Sequence, residues 1–310
     1  MHATAVTYFK ELQNRICAGL EQADGGSSFR EDVWTRRQEG VRGGTRGGSP
    51  PPGGGGGGRS RVIENGAVFE KGGVNFSEVF GEFSPEFAKQ IPGDGLAFTA
   101  AGVSLVIHPR SPLVPTVHAN FRFLTHGSKA WFGGGADLTP YYPFKEDVIG
   151  FHRVWKSVCG AHPAAADYAK MKKDCDEYFH IKHRGEARGV GGIFFDYMDA
   201  TDEAFAFVRA AGDAFLDAYV PIVERRKALP YTPEQRFFQE VRRGRYVEFN
   251  LVYDRGTVFG LKTDGRTESI LMSLPPVVRY VYDYRPAPGT PEAELTDYWL
   301  KPKDWAEMAG

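Results

Sequence analysis

The sequence predicts an α+β fold built on a largely antiparallel sheet. Two observations carry this. Segments with period-two alternation follow one another through tight-turn signals, and segments with helical spacing come in blocks rather than alternating one for one with the strands. A third observation excludes a competitor: no G-x-G-x-x-G opens a helix after a strand and no G-x-x-x-x-G-K-[ST] occurs, so nucleotide cofactors have no support.

Taken in order, residues 4–19 are predicted as an amphipathic helix with Phe9, Leu12 and Ile16 inward, and residues 29–36 as a strand. Residues 37–61 collapse into Gly, Pro, Arg and Ser, with six consecutive glycines from Gly53. They are predicted to be a disordered insertion in a single domain spanning residues 1–310. Scattered arginines there invite comparison with RNA-binding Arg-Gly-Gly tracts, but no aromatic residues are interleaved for base stacking. Asn65-Gly66 between residues 61–64 and 67–70 is a hairpin signal, and Ser84-Pro85-Glu86 a helix start.

Two strands then divide their residues by chemistry. Val103, Leu105 and Ile107 alternate with Ser104 and His108; Val117, Ala119, Phe121 and Phe123 alternate with Thr116, His118, Asn120 and Arg122. One face is a core, and the other suits an anionic ligand. Gly133, Gly134 and Gly135 follow in a third strand, where the backbone can bulge or approach a ligand closely.

Residues 144–184 are predicted as mainly helical, with Val148, His152, Trp155 and Cys159 in one stripe and Tyr168, Met171, Cys175 and Tyr178 in another. Residues 193–197 read as a buried strand. Thr201 opens a helix carrying Phe205, Val208, Phe215, Tyr219 and Ile222 inward, with a kink expected at Pro221. Thr232-Pro233-Glu234-Gln235 is a capping box, and Gly244 is expected to end that helix. Residues 245–253 and 256–263 then read as paired strands around Asp254-Arg255-Gly256, and a short helix follows Thr290-Pro291.

Thirty-eight Lys plus Arg against 39 Asp plus Glu leave a net charge of −1, so no global field favours nucleic acid or an anionic membrane, and anion binding must be local. Three cysteines without C-x-x-C spacing argue against a disulfide framework or a zinc-thiolate site. With no presequence pattern and no apolar run of membrane-spanning length, a cytoplasmic protein is expected.

Several stretches carry a resemblance: Ala101-Gly102-Val103-Ser104-Leu105-Val106-Ile107-His108-Pro109, Val117-His118-Ala119-Asn120-Phe121-Arg122, Trp131-Phe132-Gly133-Gly134-Gly135-Ala136-Asp137-Leu138-Thr139-Pro140-Tyr141-Tyr142, Lys182-His183-Arg184, residues 244–256 and residues 265–273. Together they resemble the oxygen-dependent coproporphyrinogen-III oxidase family from about Phe69 to the C-terminus. The glycine-rich stretch before Val62 departs from the family's compact pattern.

The resemblance implies oxidative decarboxylation of two propionates of coproporphyrinogen III to vinyl groups, giving protoporphyrinogen IX, with dioxygen as oxidant. It further implies no organic cofactor, no obligatory metal, and a homodimer built on a large, rather flat, mainly antiparallel sheet with helices on both faces. It assigns catalysis to His118, Asp254 and Arg255, and substrate binding to Ser104, Asn120, Phe121, Arg122, Asp264, Gly265 and Arg266. Such a substrate needs Arg for its carboxylates and an acceptor for its pyrrole N–H groups, and these residue types supply both. His108, His118, His152 and His183 recur in the family pattern, but their spacing forms no sequence-local metal motif. Two alternatives stand beside this reading: a tetrapyrrole-binding protein without turnover, and a metal-dependent oxygenase of another carboxylate using Asp137 with two histidines.

Overall fold

The structure is a computed structural model that describes residues 1–36, 54–262 and 265–309. It opens with α1 (His2–Asp24), which buries Phe9, Leu12, Ile16 and Leu20 and ends at Gly25 in the left-handed conformation. Six strands follow as a meander: β1 (Arg30–Arg36), β2 (Gly55–Glu64), β3 (Phe69–Glu82), β4 (Ala97–Pro109), β5 (Thr116–His126) and β6 (Lys129–Thr139). The short α2 (Pro85–Ala88), capped by Ser84, interrupts them. After α3 (Lys145–Ala161), α4 (Tyr168–Tyr178) and a small pair, β7 (His180–Ile181) with β8 (Glu186–Ala187), the chain returns as β9 (Gly191–Asp199) beside β6. Among the described residues the main sheet is seven-stranded and antiparallel throughout, in the order β1-β2-β3-β4-β5-β6-β9. The α+β expectation holds.

The remaining helices are α5 (Asp202–Asp213), α6 (Phe215–Arg226), α7 (Pro233–Val252), α8 (Arg255–Lys262), α9 (Thr267–Leu271) and α10 (Pro291–Glu294), the last running into a π turn and a final 3-10 turn. α1, α3, α5 and α6 cover the apolar face of the sheet, where Val103, Leu105, Val117, Ala119, Phe121, Phe132 and Leu138 join Trp155, Phe207 and Phe215 in one core. α4, α7, α8 and α9 lie over the opposite, polar face.

Four expectations need correction. Residues 55–61 are not disordered: they form most of β2, paired to both neighbours. Glycine propensity argued against a strand, but bare backbone is what the packing requires, since a Cβ on Gly58 would lie 2.3 Å from the Trp34 ring and 2.5 Å from the Phe76 carbonyl oxygen. Residues 37–53 lie outside the described residues.

The helix from Thr232 does not end at Gly244. It runs on to Val252, with Tyr246, Phe249 and Asn250 on its buried side at i, i+3 and i+4. Gly244 serves packing instead: its missing Cβ leaves room for the Arg279 carbonyl and the Tyr280 ring, 3.1 and 3.3 Å from where that atom would sit. In place of the second strand, α8 follows. The helix from Thr201 breaks at Ala214, between α5 and α6, and Pro221 sits inside α6.

Candidate functional site

Register aligns one polar row across the sheet. Asp32, Ser60, Asn75, Ser104 and Asn120 are successive partners on β1 to β5, and the row continues to Gly135 and Phe194. At its β1 end α9 closes the row, because Ser60 Oγ and Ser269 Oγ are 2.7 Å apart and Asn75 Oδ1 accepts from Ser60 at 2.9 Å. Towards β6 the row opens into a solvent-open cleft with a cavity volume of about 240 Å³. The floor includes Ser104, His118, Asn120 and Arg122; the far wall is Tyr178, Phe179, Arg188, Asn250, Asp254, Arg255 and Thr257.

Asp254 sits where α7 ends and α8 begins. Its Oδ2 accepts from Thr257 N at 2.7 Å, capping α8, and its Oδ1 accepts from Tyr178 at 3.0 Å. Burial and the nearby Asp254 carboxylate push the Tyr178 phenol up to about 12, so it stays a donor near neutral pH. Arg255 sits at the mouth with its guanidinium 4.9 Å from the Tyr178 ring centroid and 5.7 Å from that of Phe194.

On the floor, Arg122 donates to Asp196 Oδ2 at 2.9 Å, and Arg255 reaches the same oxygen at 3.4 Å. Among the described residues, two buried floor atoms have no hydrogen-bond partner, Asn120 Oδ1 and Arg122 Nε. One acceptor and one donor on the cleft floor are thus left unsatisfied.

His118 is fixed from below. Its Nδ1 lies 2.8 Å from Asp137 Oδ1, and Asp137 also accepts from Arg188 at 2.7 and 2.9 Å. Asp137 is only 1% exposed; burial alone would raise its carboxyl, but the Arg188 guanidinium and His118 hold it below the usual range. Arg188 is itself sandwiched among the rings of Phe179, Tyr246 and Phe249 and donates to Asn250 Oδ1 at 2.9 Å. A neutral His118 held this way would donate from Nδ1 and keep Nε2 for a ligand.

Residues 4–305 match the family model described as coproporphyrinogen III oxidase. The chain belongs to that family.

Of the residues the family resemblance singled out, the structure brings Ser104, His118, Asn120, Arg122, Asp254 and Arg255 to one cleft. Arg266 and Gly265 lie at its β1 end, where Arg266 pairs with Asp32 and reaches Ser269 Oγ at 3.4 Å, while Gly265 N donates to the Gly260 carbonyl. Asp264 lies outside the described residues. Phe121 does not join the cleft: fully buried on the opposite face, its side chain belongs to the core, as strand alternation requires of a residue between Asn120 and Arg122.

The other recurring histidines are elsewhere. His108 is buried, with its ring nitrogens 3.2 Å from Thr116 Oγ1 and 2.8 Å from the Ser273 carbonyl; His152 is buried between Tyr168 and the Val190 carbonyl; His183 is at the surface with Tyr253 and Glu248. Sequence reasoning missed Tyr178 as a cleft residue, and it missed Asp196, Arg188 and Asn250. Asp196 had a readable signal, being a lone acid in the apolar run Ile193-Phe194-Phe195-Asp196.

Proposed function

We propose that this member of the coproporphyrinogen oxidase family is the oxygen-dependent form, converting two propionates of coproporphyrinogen III to vinyl groups and releasing protoporphyrinogen IX. The observation that carries the reading is the pairing, across one cleft, of a polar sheet face bearing Arg122 and Asn120 with a wall bearing Asp254 and Arg255. A flexible tetrapyrrole presents acid arms outward and N–H donors inward, and the cleft offers guanidinium groups and carboxylate or amide acceptors in that relation.

In this reading Asp254 gathers pyrrole N–H groups and promotes their deprotonation, and an arginine clamp fixes one propionate at the reacting position. The activated pyrrole is electron-rich enough to react with dioxygen directly. Each cycle then breaks one β C–H bond and the bond to the carboxylate carbon. The two electrons pass to dioxygen, which leaves as hydrogen peroxide with the β-hydrogen and one solvent proton, while carbon dioxide departs and the vinyl double bond forms. In this reading His118 Nε2 accepts or returns a proton. No organic cofactor or metal is invoked.

The family match over residues 4–305 supports treating the chain as one domain. Three buried free cysteines suit a reducing compartment, which supports a cytoplasmic setting; no helix among the described residues is long and apolar enough to cross a membrane. Incubation of the purified protein with coproporphyrinogen III tests the function. In air, carbon dioxide and vinyl-bearing product are expected; under argon, neither. Equal yield with and without oxygen would overturn the oxygen-dependent assignment, and bound substrate without product would favour a carrier.

A further inference from the structure

Arg122 and Arg255 come from opposite walls of the cleft, β5 and α8, yet share one oxygen of Asp196. Three local features aim that carboxylate. The β6–β9 ladder shifts register between Phe132 and Gly134, so that two residues of β9, Asp196 and Tyr197, bulge opposite the single Gly133 of β6. Tyr197, the next residue, adopts φ 53°, a conformation non-glycine residues seldom take, and its N–H donates to Asp196 Oδ1 at 3.1 Å. Finally, a Cβ on Gly133 would lie 2.7 Å from Asp196 Oδ1 and 2.8 Å from Arg122 Nε, so only glycine leaves the pair undisturbed.

A backbone shaped this way for one contact, next to an Arg122 Nε left without a partner, suits a function better than a surface ion pair. We infer that Asp196 is a positioning residue that holds Arg122 and Arg255 as one clamp for the reacting propionate of the proposed substrate. The inference rests on the function proposed above.

Two guanidiniums and one carboxylate leave a single positive charge, matched to a single incoming carboxylate. Asp254 also lies in the cleft and keeps its charge, but its oxygens bond Tyr178 and the start of α8 rather than either guanidinium. Without Asp196 the pair would attract anions more strongly but would no longer hold them in one place. Affinity and turnover should therefore move in opposite directions.

The test compares wild type, Asp196→Asn, Asp196→Glu and Gly133→Ala. Binding is read with coproporphyrin III, the oxidised tetracarboxylate that is not turned over, and kcat with coproporphyrinogen III in air. Asp196→Asn is expected to bind the probe about tenfold tighter, a shift of the size one nearby like charge produces, while kcat falls about tenfold or more. Asp196→Glu restores the charge and should return binding to the wild-type value with part of the rate. Gly133→Ala keeps the charge and disturbs the geometry, so kcat should fall with probe binding unchanged. An Asp196→Asn protein that matches wild type in both readouts overturns the inference. So does one that loses both together with a lowered Tm, which marks a structural ion pair. If wild type itself forms no product, the proposed function fails, whereas tightening of the probe by Asp196→Asn would still show the clamp.

Discussion

Asp254 has two duties that a well-chosen substitution separates. As the cap of α8 it accepts from Thr257 N, and as a cleft carboxylate it faces the space where a macrocycle would lie. Asp254→Ser keeps a capping oxygen and removes the charge; it is expected to fold normally and lose turnover, whereas Asp254→Ala should lose turnover and also about 1 kcal/mol of stability. Denaturant unfolding beside the carbon dioxide assay checks both, and near-normal rates in Asp254→Ser would remove this residue from the mechanism. Arg122→Ala is expected to abolish turnover with the fold intact, since its guanidinium lies in the cleft rather than the core. At this scale the period-two pattern told much: His118, Asn120 and Arg122 do share a face. It also should have excluded Phe121, because a motif match marks neighbours in sequence without regard to which side of a strand they take. Partnerships such as Asp196 with Arg122 were illegible, being set by a bulge and by register between strands 74 residues apart.

At the scale of elements, two buried histidines tie stability to pH. Burial lowers His152 to about 3, and burial with the Arg243 charge puts His108 well below its usual value. A histidine lowered on folding takes up its proton in the unfolded chain first, so its stabilising effect is complete above the unfolded value near 6.5 and is lost as pH falls towards the folded one. Each should cost roughly 1.4 kcal/mol per pH unit below about 6. Urea midpoints at pH 7.5, 6.0 and 5.0 measure this, and a flat profile would contradict it.

The glycine strand gives a second element-scale expectation. Gly58→Val must displace the Trp34 ring or the Phe76 backbone and should cost roughly 1–3 kcal/mol by overpacking, read as a lowered Tm; no change would mean that β2 does not pack there. The capping box at Thr232 was legible and starts α7 as expected, with both reciprocal hydrogen bonds made. Its end was not legible, because residues 245–252 also alternate, and only burial against Arg188 and Phe179 favours the helix. Likewise, glycines that read as disorder from composition are strand residues in context, since tertiary packing overrides propensity.

Across the whole molecule, the near-sequential strand order made the antiparallel sheet legible, as hairpin signals joined neighbours in the chain. What covers the polar face was not, for α8 and α9 are only eight and five residues long. The stretch after α9 is left uncovered: Tyr282 is 100% exposed and Tyr280 60%, next to exposed Val277 and Val281. Such a run suits the homodimer that the family resemblance implies, in which these rings would be buried between two copies. Light scattering should give twice 34.3 kDa, and Tyr280→Glu with Tyr282→Glu should shift the protein towards one copy; a single copy for wild type at all concentrations would contradict it.

The central claim is that a tetrapyrrole lies between the polar face of the sheet and the α7–α8 junction. A crystal structure with coproporphyrin III bound tests it most directly. The expected result has ring nitrogens within hydrogen-bonding distance of Asp254 and one propionate on Arg122 and Arg255. A macrocycle seated anywhere else, with those three side chains still facing an empty cleft, would contradict the account.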